Sequence, residues 1–304
     1  QPSTADILGF FQNVTNGLYP TEHPVDRAKL CLSCHMGNAQ KPITHRIMGA
    51  GHPRLSFELD TFTQIEPAHF KVDADYIKRK GDWSGAQVWA VGQVITVEEY
   101  LAALTDPKRN RDGAFPELTL FDCHSCHHSM DNVHWQSRQG TGLPPGVVRL
   151  NDSNVLMLRH IINLVDPSAA KEWRQKSLSL HRAATESQDA MVRAAQDLQA
   201  LAKTLQPKLA GRSFSTADIK SLANAILTEG SAGEYADYAG AEQSLMALDA
   251  LFNALERQGG LTAVQLGALR QQTESMYKTL EKDDDSYKPG QFSAQMKTLQ
   301  AAFK

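Results

Sequence analysis

Cysteine is scarce in this chain, and neither sign of charge is in excess. The 304 residues include four cysteines, 31 Lys+Arg and 34 Asp+Glu, which gives a formal net charge of −3. A chain without a basic excess or a basic tract lacks the features that attract nucleic acid or an acidic membrane surface. We therefore expect no nucleic-acid partner.

Long apolar runs are also lacking. The run from 86 to 95 is interrupted by two glutamines, and the run from 155 to 165 by Arg159 and His160. A membrane-spanning helix needs about 20 mostly apolar residues, so we expect no membrane span. The first residues show no basic segment followed by an apolar one. This indicates either a cytoplasmic protein or a mature chain whose signal peptide has been removed.

All four cysteines fall in two copies of one motif. Residues 31–35 read CLSCH and residues 123–127 read CHSCH, and both fit C-x-x-C-H, the pattern that attaches haem c. Composition alone gives about 0.002 such matches in a chain of this length. Two thiols three positions apart can form thioethers with the two vinyl groups of one porphyrin, and the next histidine then lies under the iron. The sequence predicts two covalent haems c on Cys31, Cys34, Cys123 and Cys126, with His35 and His127 as the proximal ligands.

Two other uses of these cysteines explain less of the pattern. A zinc site built from two C-x-x-C pairs usually has about 12–20 residues between the pairs, whereas 88 residues separate them here. A redox-active dithiol would not explain a histidine after each pair. Because haem c is normally attached outside the cytoplasm, the motifs predict a periplasmic or otherwise exported protein.

Composition divides the chain near residue 150. Residues 1–150 hold all four cysteines, nine of the eleven histidines and ten of the thirteen prolines. Frequent turn signals predict short helices and long loops wrapped around cofactors, with the attachment motifs opening or lying on short helices. We interpret this region as a dihaem cytochrome c domain.

Residues 151–304 are rich in Ala, Leu, Gln and Glu and contain three prolines and no cysteine. Apolar residues spaced three and four apart, as from Met191 to Leu205, are typical of helices, and Thr262-x-x-Gln265 resembles a capping box. This pattern predicts an antiparallel bundle of four to six helices. The expected fold class is mainly α, with one possible short strand near residues 88–97.

The sixth ligand of each iron must come from the remaining histidines or, less favourably, from a methionine. His45 and His52 frame a Gly-rich loop that is expected to open a helix, with Pro53 in its first turn. They are our choices for the distal ligands. His69 and His128 are held in reserve.

Three other histidines are assigned different environments. His124 lies inside its own motif and is expected to point outward. His160 is in an apolar helical run and is expected to be a hydrogen-bonded core residue, whereas His181 on a polar helix is expected to be solvated. Aromatic residues of the first half, among them Phe57 and Phe62, are candidates for the walls of the haem pockets, with ordinary core packing as the alternative.

These motifs together resemble a group of bacterial multihaem c-type cytochromes. That group is related to the superfamily of the nitrifiers' tetrahaem electron-transfer cytochrome and the multihaem nitrogen-cycle reductases. The resemblance covers roughly residues 25–150 and implies a periplasmic protein with closely packed haems and mostly bis-histidine iron. This chain differs from the larger members in having two attachment motifs. The matching segments are Cys31…His35, His45-x6-His52-Pro53-Arg54-Leu55-x-Phe57-Glu58-Leu59, Pro67-Ala68-His69-Phe70 and Leu120-Phe121-Asp122-Cys123-x-x-Cys126-His127-His128.

Three classes of function follow from this sequence. The first is electron transfer with redox partner proteins, for which the surplus of histidines can saturate both irons. The second is a haem enzyme, such as a peroxidase or a reductase of small nitrogen or sulfur oxyanions, with one open iron site. The third is a sensor or scaffold in which the bundle binds a partner. The histidine surplus favours the first, so an electron-transfer protein is expected rather than a catalyst.

Overall fold

The structure, a computed structural model, describes residues 4–65, 72–127, 140–144, 146–281 and 287–304. Within these ranges the protein is mainly α-helical, as predicted. The first half contains α1 (Thr4–Thr15), α2 (Pro24–His35), α3 (His45–Gly49), α4 (Leu59–Ile65), α5 (Ala74–Lys80), α6 (Gly85–Thr105) and the antiparallel strands β1 (Arg111–Asp112) and β2 (Phe115–Pro116). The second half contains α7 (Ser153–Val165), α8 (Pro167–Glu186), α9 (Gln188–Ala210), α10 (Thr216–Ser231), α11 (Tyr238–Arg257), α12 (Ala263–Glu281) and α13 (Pro289–Phe303).

The second half has seven helices in its described residues, so the predicted four to six was too few. The difference arises at one-residue breaks that leave the apolar pattern almost continuous. Asp166 separates α7 from α8 and accepts a hydrogen bond from the Ala169 N–H, and Ser187 caps α9 in the same way. The predicted capping box at Thr262 and Gln265 is confirmed by hydrogen bonds in both directions.

The strand predicted near residues 88–97 is wrong, because these residues lie in α6. Ser84 caps this helix, and 17 of its 21 residues are buried. A helix that is covered on all sides is apolar all round and shows no 3.6-residue period, which is why its sequence resembles a buried strand.

Helix α6 packs against elements on both sides of residue 150. Its neighbours are α2 and α4 before that position and α7, α9 and α11 after it. A buried amide cluster joins the halves as well, because Asn154 donates to both Gln93 and Gln243. One apolar core runs through all these helices. Whether 1–150 and 151–304 are separate folding units stays a prediction.

The loop after His52 does not open a helix at Pro53. The chain is non-helical to residue 58, and α4 begins at Leu59. Glu58 sets this start, since its carboxylate accepts hydrogen bonds from the N–H groups of Asp60 and Thr61. In the described ranges, none of the helices combines the length and apolarity needed to cross a bilayer.

Candidate functional site

The first cysteine motif occupies the last turn of α2, in line with the prediction that a short helix carries it. Leu32 is buried toward α6, while Cys34 and His35 are exposed. The helix is followed by Gly37 at φ +68°, where an added Cβ would lie 2.6 Å from the Lys41 carbonyl oxygen. Only glycine fits this turn, and it directs the chain away from the motif.

Aromatic rings cover one side of His35. Its ring stacks on Phe57 with a centroid distance of 4.1 Å and an interplanar angle of 14°, and Phe62 is 6.4 Å away. Phe57 is itself fixed, because Gln243 of α11 donates to its carbonyl oxygen at 3.2 Å. Phe57, expected to be a pocket wall, is therefore held against His35, the predicted proximal ligand of the first motif.

The second motif forms a 3₁₀ turn at Cys123–Ser125 rather than part of an α-helix. The Cys123 carbonyl accepts hydrogen bonds from the N–H groups of Cys126 and His127 at 3.1 and 2.8 Å. Ser125 Oγ donates to Asp122 Oδ2 at 2.9 Å. The turn leaves Cys126 and His127 exposed and Cys123 partly exposed.

An ionic network fixes this turn from the second half of the chain. The Arg149 guanidinium pairs with Asp237, which precedes α11, and lies 3.6 Å from Asp122 Oδ2. The Asp122 N–H also donates to the Arg149 carbonyl at 2.8 Å. Asp122 and Asp237 are 4% and 6% exposed, so the arginine lies between two buried carboxylates and compensates part of their charge.

His45 is the first residue of α3 and is positioned by a buried carboxylate. The Glu117 carboxylate accepts a hydrogen bond from the His45 N–H at 2.7 Å and another from the Thr119 N–H at 3.1 Å. Thr44 caps the helix by accepting from the Ile47 N–H. Glu117 thus ties the start of α3 to the segment that leads into the second motif.

This arrangement brings His45 to His127. Their ring centroids are 6.2 Å apart with an interplanar angle of 35°. The two rings are therefore close enough that both would hold the iron of a haem attached at this motif.

The structure does not bring the other predicted distal ligand to a motif. His52 is exposed, and its Nδ1 lies 2.6 Å from the Pro53 carbonyl oxygen. Neither His35 nor His127 is among its contacts in the described ranges. The reserve candidates His69 and His128 lie outside the described residues.

His124 does not point outward as predicted. Its ring is partly buried and stacks on Tyr238 at the start of α11, with centroids 5.2 Å apart. The Arg54 guanidinium lies 4.4 Å from the same tyrosine ring and makes two 2.8 Å hydrogen bonds to Glu242. The second motif therefore packs against the bundle.

The two histidines of the bundle are both buried. His160 is hydrogen-bonded as predicted, with Nε2 2.9 Å from the Tyr235 hydroxyl and 3.2 Å from Glu229. The prediction of a solvated His181 is wrong: it is 4% exposed, and its Nε2 lies 2.9 Å from Asp152. The polar residues around His181 in α8 predict exposure, but Asp152, which precedes α7, covers the histidine.

No family model, curated protein or solved structure matches this chain. Within the described ranges, no three His, Cys, Asp or Glu side chains are grouped as an all-protein metal site would be. The sequence also gave no sign of the residues that position the second motif. Glu117, Arg149, Asp237 and Tyr238 are ordinary polar or aromatic residues, and their role depends on contacts that are distant in sequence.

Proposed function

We propose that the chain is a periplasmic or otherwise exported dihaem c-type cytochrome that transfers electrons between redox partner proteins. The observation that supports the proposal is the 6.2 Å separation of the His45 and His127 rings, which puts a second histidine beside a complete C-x-x-C-H motif. The resemblance of residues 25–150 to multihaem cytochromes supports the same class. All four cysteines have a use in this assignment.

Each residue has a defined part in the proposal. Thioethers form at Cys31, Cys34, Cys123 and Cys126, and His35 and His127 are the proximal ligands. His45 is the distal ligand of the second iron, while His52, with His69 and His128 in reserve, is the candidate for the first. When bound, haem supplies one-electron exchange between iron(III) and iron(II).

The protein's contribution at the second site is rigidity. Glu117 holds the backbone of His45, and Arg149 holds the turn that carries His127. Ligands that are fixed by hydrogen bonds and ion pairs keep their orientation in both oxidation states. A site that changes little on reduction suits electron transfer.

The test is the covalent haem content of protein produced with haem c maturation. The intact mass and the pyridine haemochrome assay should both give two haems per chain. Cys123→Ala should leave one, because a thiol of the second motif is lost, whereas Ser33→Ala changes the interior of the first motif and should keep two. A mass equal to the bare chain or to the chain with one haem would contradict the proposal.

A haem enzyme with an open first site is the second candidate. In the part of the chain that the structure describes, the rings beside His35 are Phe57 and Phe62, and no histidine is among them. Such an iron could act as a peroxidase or reduce a small nitrogen or sulfur oxyanion. Carbon monoxide added to the reduced protein distinguishes the two: a shifted absorption band indicates an open iron, and an unchanged spectrum indicates two saturated ones.

A further inference from the structure

Two carboxylates are buried side by side next to the first motif, and electron transfer alone gives them no role. Glu58 and Asp60 are 1% and 2% exposed. Glu58 directly follows Phe57, the ring that stacks on His35, and Asp60 lies in the first turn of α4. Glu58 and Asp60 are therefore within three residues of Phe57, which contacts the proposed iron ligand His35.

Two glycines of α6 create the space for this burial. An added Cβ at Gly92 would lie 2.9 Å from Leu59 Cβ, and one at Gly85 would lie 2.8 Å from Asp60 Oδ2. Without side chains at these positions, α4 packs directly on the backbone of α6. The carboxylates are consequently shielded from water by the helix behind them.

Among the described residues, neither carboxylate of the pair forms a direct ion pair. The Glu58 carboxylate accepts two backbone N–H groups, and Asp60 Oδ2 is buried without a hydrogen-bond partner. The charged and titratable groups that act on the pair from neighbouring helices are Arg27 of α2, Arg257 of α11 and Tyr277 of α12.

Burial and the missing ion pair favour the protonated form of Glu58 and Asp60. Burial raises the pKa of Glu58 to about 7, with the negative charge of Asp60 adding to the increase. Burial also raises the pKa of Asp60 to about 6, although a hydrogen bond with the Gln64 side chain and the charges of the two arginines oppose the increase.

We infer that Glu58 and Asp60 form a proton-binding site that is coupled to reduction of the haem on the first motif, an inference that rests on the proposed function. One electron from a partner protein converts iron(III) to iron(II) and removes one positive charge from the site. The carboxylate pair then takes one proton from solvent, so that one carboxylate becomes a carboxylic acid. Oxidation releases the electron to the partner and the proton to solvent.

The test is potentiometry of the full-length holoprotein from about pH 5 to about pH 8. One of the two midpoint potentials should fall as pH rises, by up to about 59 mV per pH unit, the value for one proton per electron. The reduced-minus-oxidised infrared difference spectrum should show a protonated carboxyl band that is absent when the iron is oxidised.

Both Glu58→Gln and Asp60→Asn should flatten this slope and weaken or remove the infrared band. Asp73→Asn is the matched control, because Asp73 caps α5 as Glu58 caps α4 but is exposed, and it should keep the wild-type slope. A flat wild-type potential, or a slope retained in the variants that fold, would overturn the inference. A protein without haem would instead contradict the proposed function, whereas two haems with pH-independent potentials contradict this inference alone.

Discussion

The two cysteine motifs are alike in sequence and differ in how the fold holds them. The second is a short turn fixed by Asp122, Arg149 and Asp237, with contributions from both halves of the chain. The first is the end of a helix, with His35 lying on the ring of Phe57. Local sequence is thus sufficient to predict an attachment motif, but which side chain comes close to its histidine depends on the surrounding fold. At the second motif the fold brings the ring of His45 to within 6.2 Å of the ring of His127, so His45 is the proposed ligand there.

The sharpest test of this difference is His45→Ala. Removing the second axial imidazole should convert one of two haems from low-spin to high-spin and open it to carbon monoxide, because its iron loses a strong-field ligand. Visible and electron paramagnetic resonance spectra of both oxidation states measure the change. A wild-type low-spin spectrum would show that His45 is not a ligand.

His52→Ala tests whether His52 is the distal ligand at the first motif. If His52 is the distal ligand there, the other haem should become high-spin, and the double variant should have two high-spin irons. An unchanged spectrum would exclude His52 and make His69 and His128 the next positions to change. An open first iron in the wild type would instead favour the enzymatic candidate.

The next largest effect is expected when the chain is cut at the boundary between its halves. Helix α6 packs against α7, α9 and α11, so a fragment of residues 151–304 loses an element that covers three of its helices. We expect a fragment of residues 84–304 to melt cooperatively without haem, while 151–304 aggregates or melts broadly. Thermal unfolding followed by circular dichroism compares them. Equally cooperative melting of the shorter fragment would support the division at residue 150.

Local signals account for what could be predicted from the sequence. The cysteine motifs, the capping box at Thr262 and the apolar seams each involve residues within about one or two helical turns. The position of α6 could not be predicted in the same way, since complete burial removes its period. His45 could be chosen as a distal candidate from the sequence, but not as the partner of His127, because their meeting depends on Glu117 bridging two segments.

Arg149→Met tests whether the ionic network holds the second motif. It would leave Asp122 and Asp237 buried without their shared cation, which should cost about 3 kcal/mol of unfolding free energy. Urea denaturation measures this loss. Arg46→Met is the matched control, because the Arg46–Asp112 pair is 80% and 38% exposed and should contribute less than about 1 kcal/mol. Equal losses in the two variants would show that the network does not stabilise the turn.

His160→Ala should have the smallest effect and should not change the haem spectrum. His160 Nε2 is engaged with Tyr235 and Glu229 inside the bundle, so the variant strands the Tyr235 hydroxyl and leaves Glu229 with Arg159 alone, at a cost of about 2 kcal/mol. Burial acts to raise the pKa of Glu229, but His160 and Arg159 lower it to about 2, below the ordinary value of 4.5. The stability that comes from the lowered pKa of Glu229 is complete above pH 4.5 and is lost as the pH falls toward 2. The difference between the wild type and the variant in urea denaturation should therefore be larger at neutral pH than at acid pH. A change of spin state would instead place His160 at an iron, and the distinction between a haem-binding half and a supporting bundle would then fail.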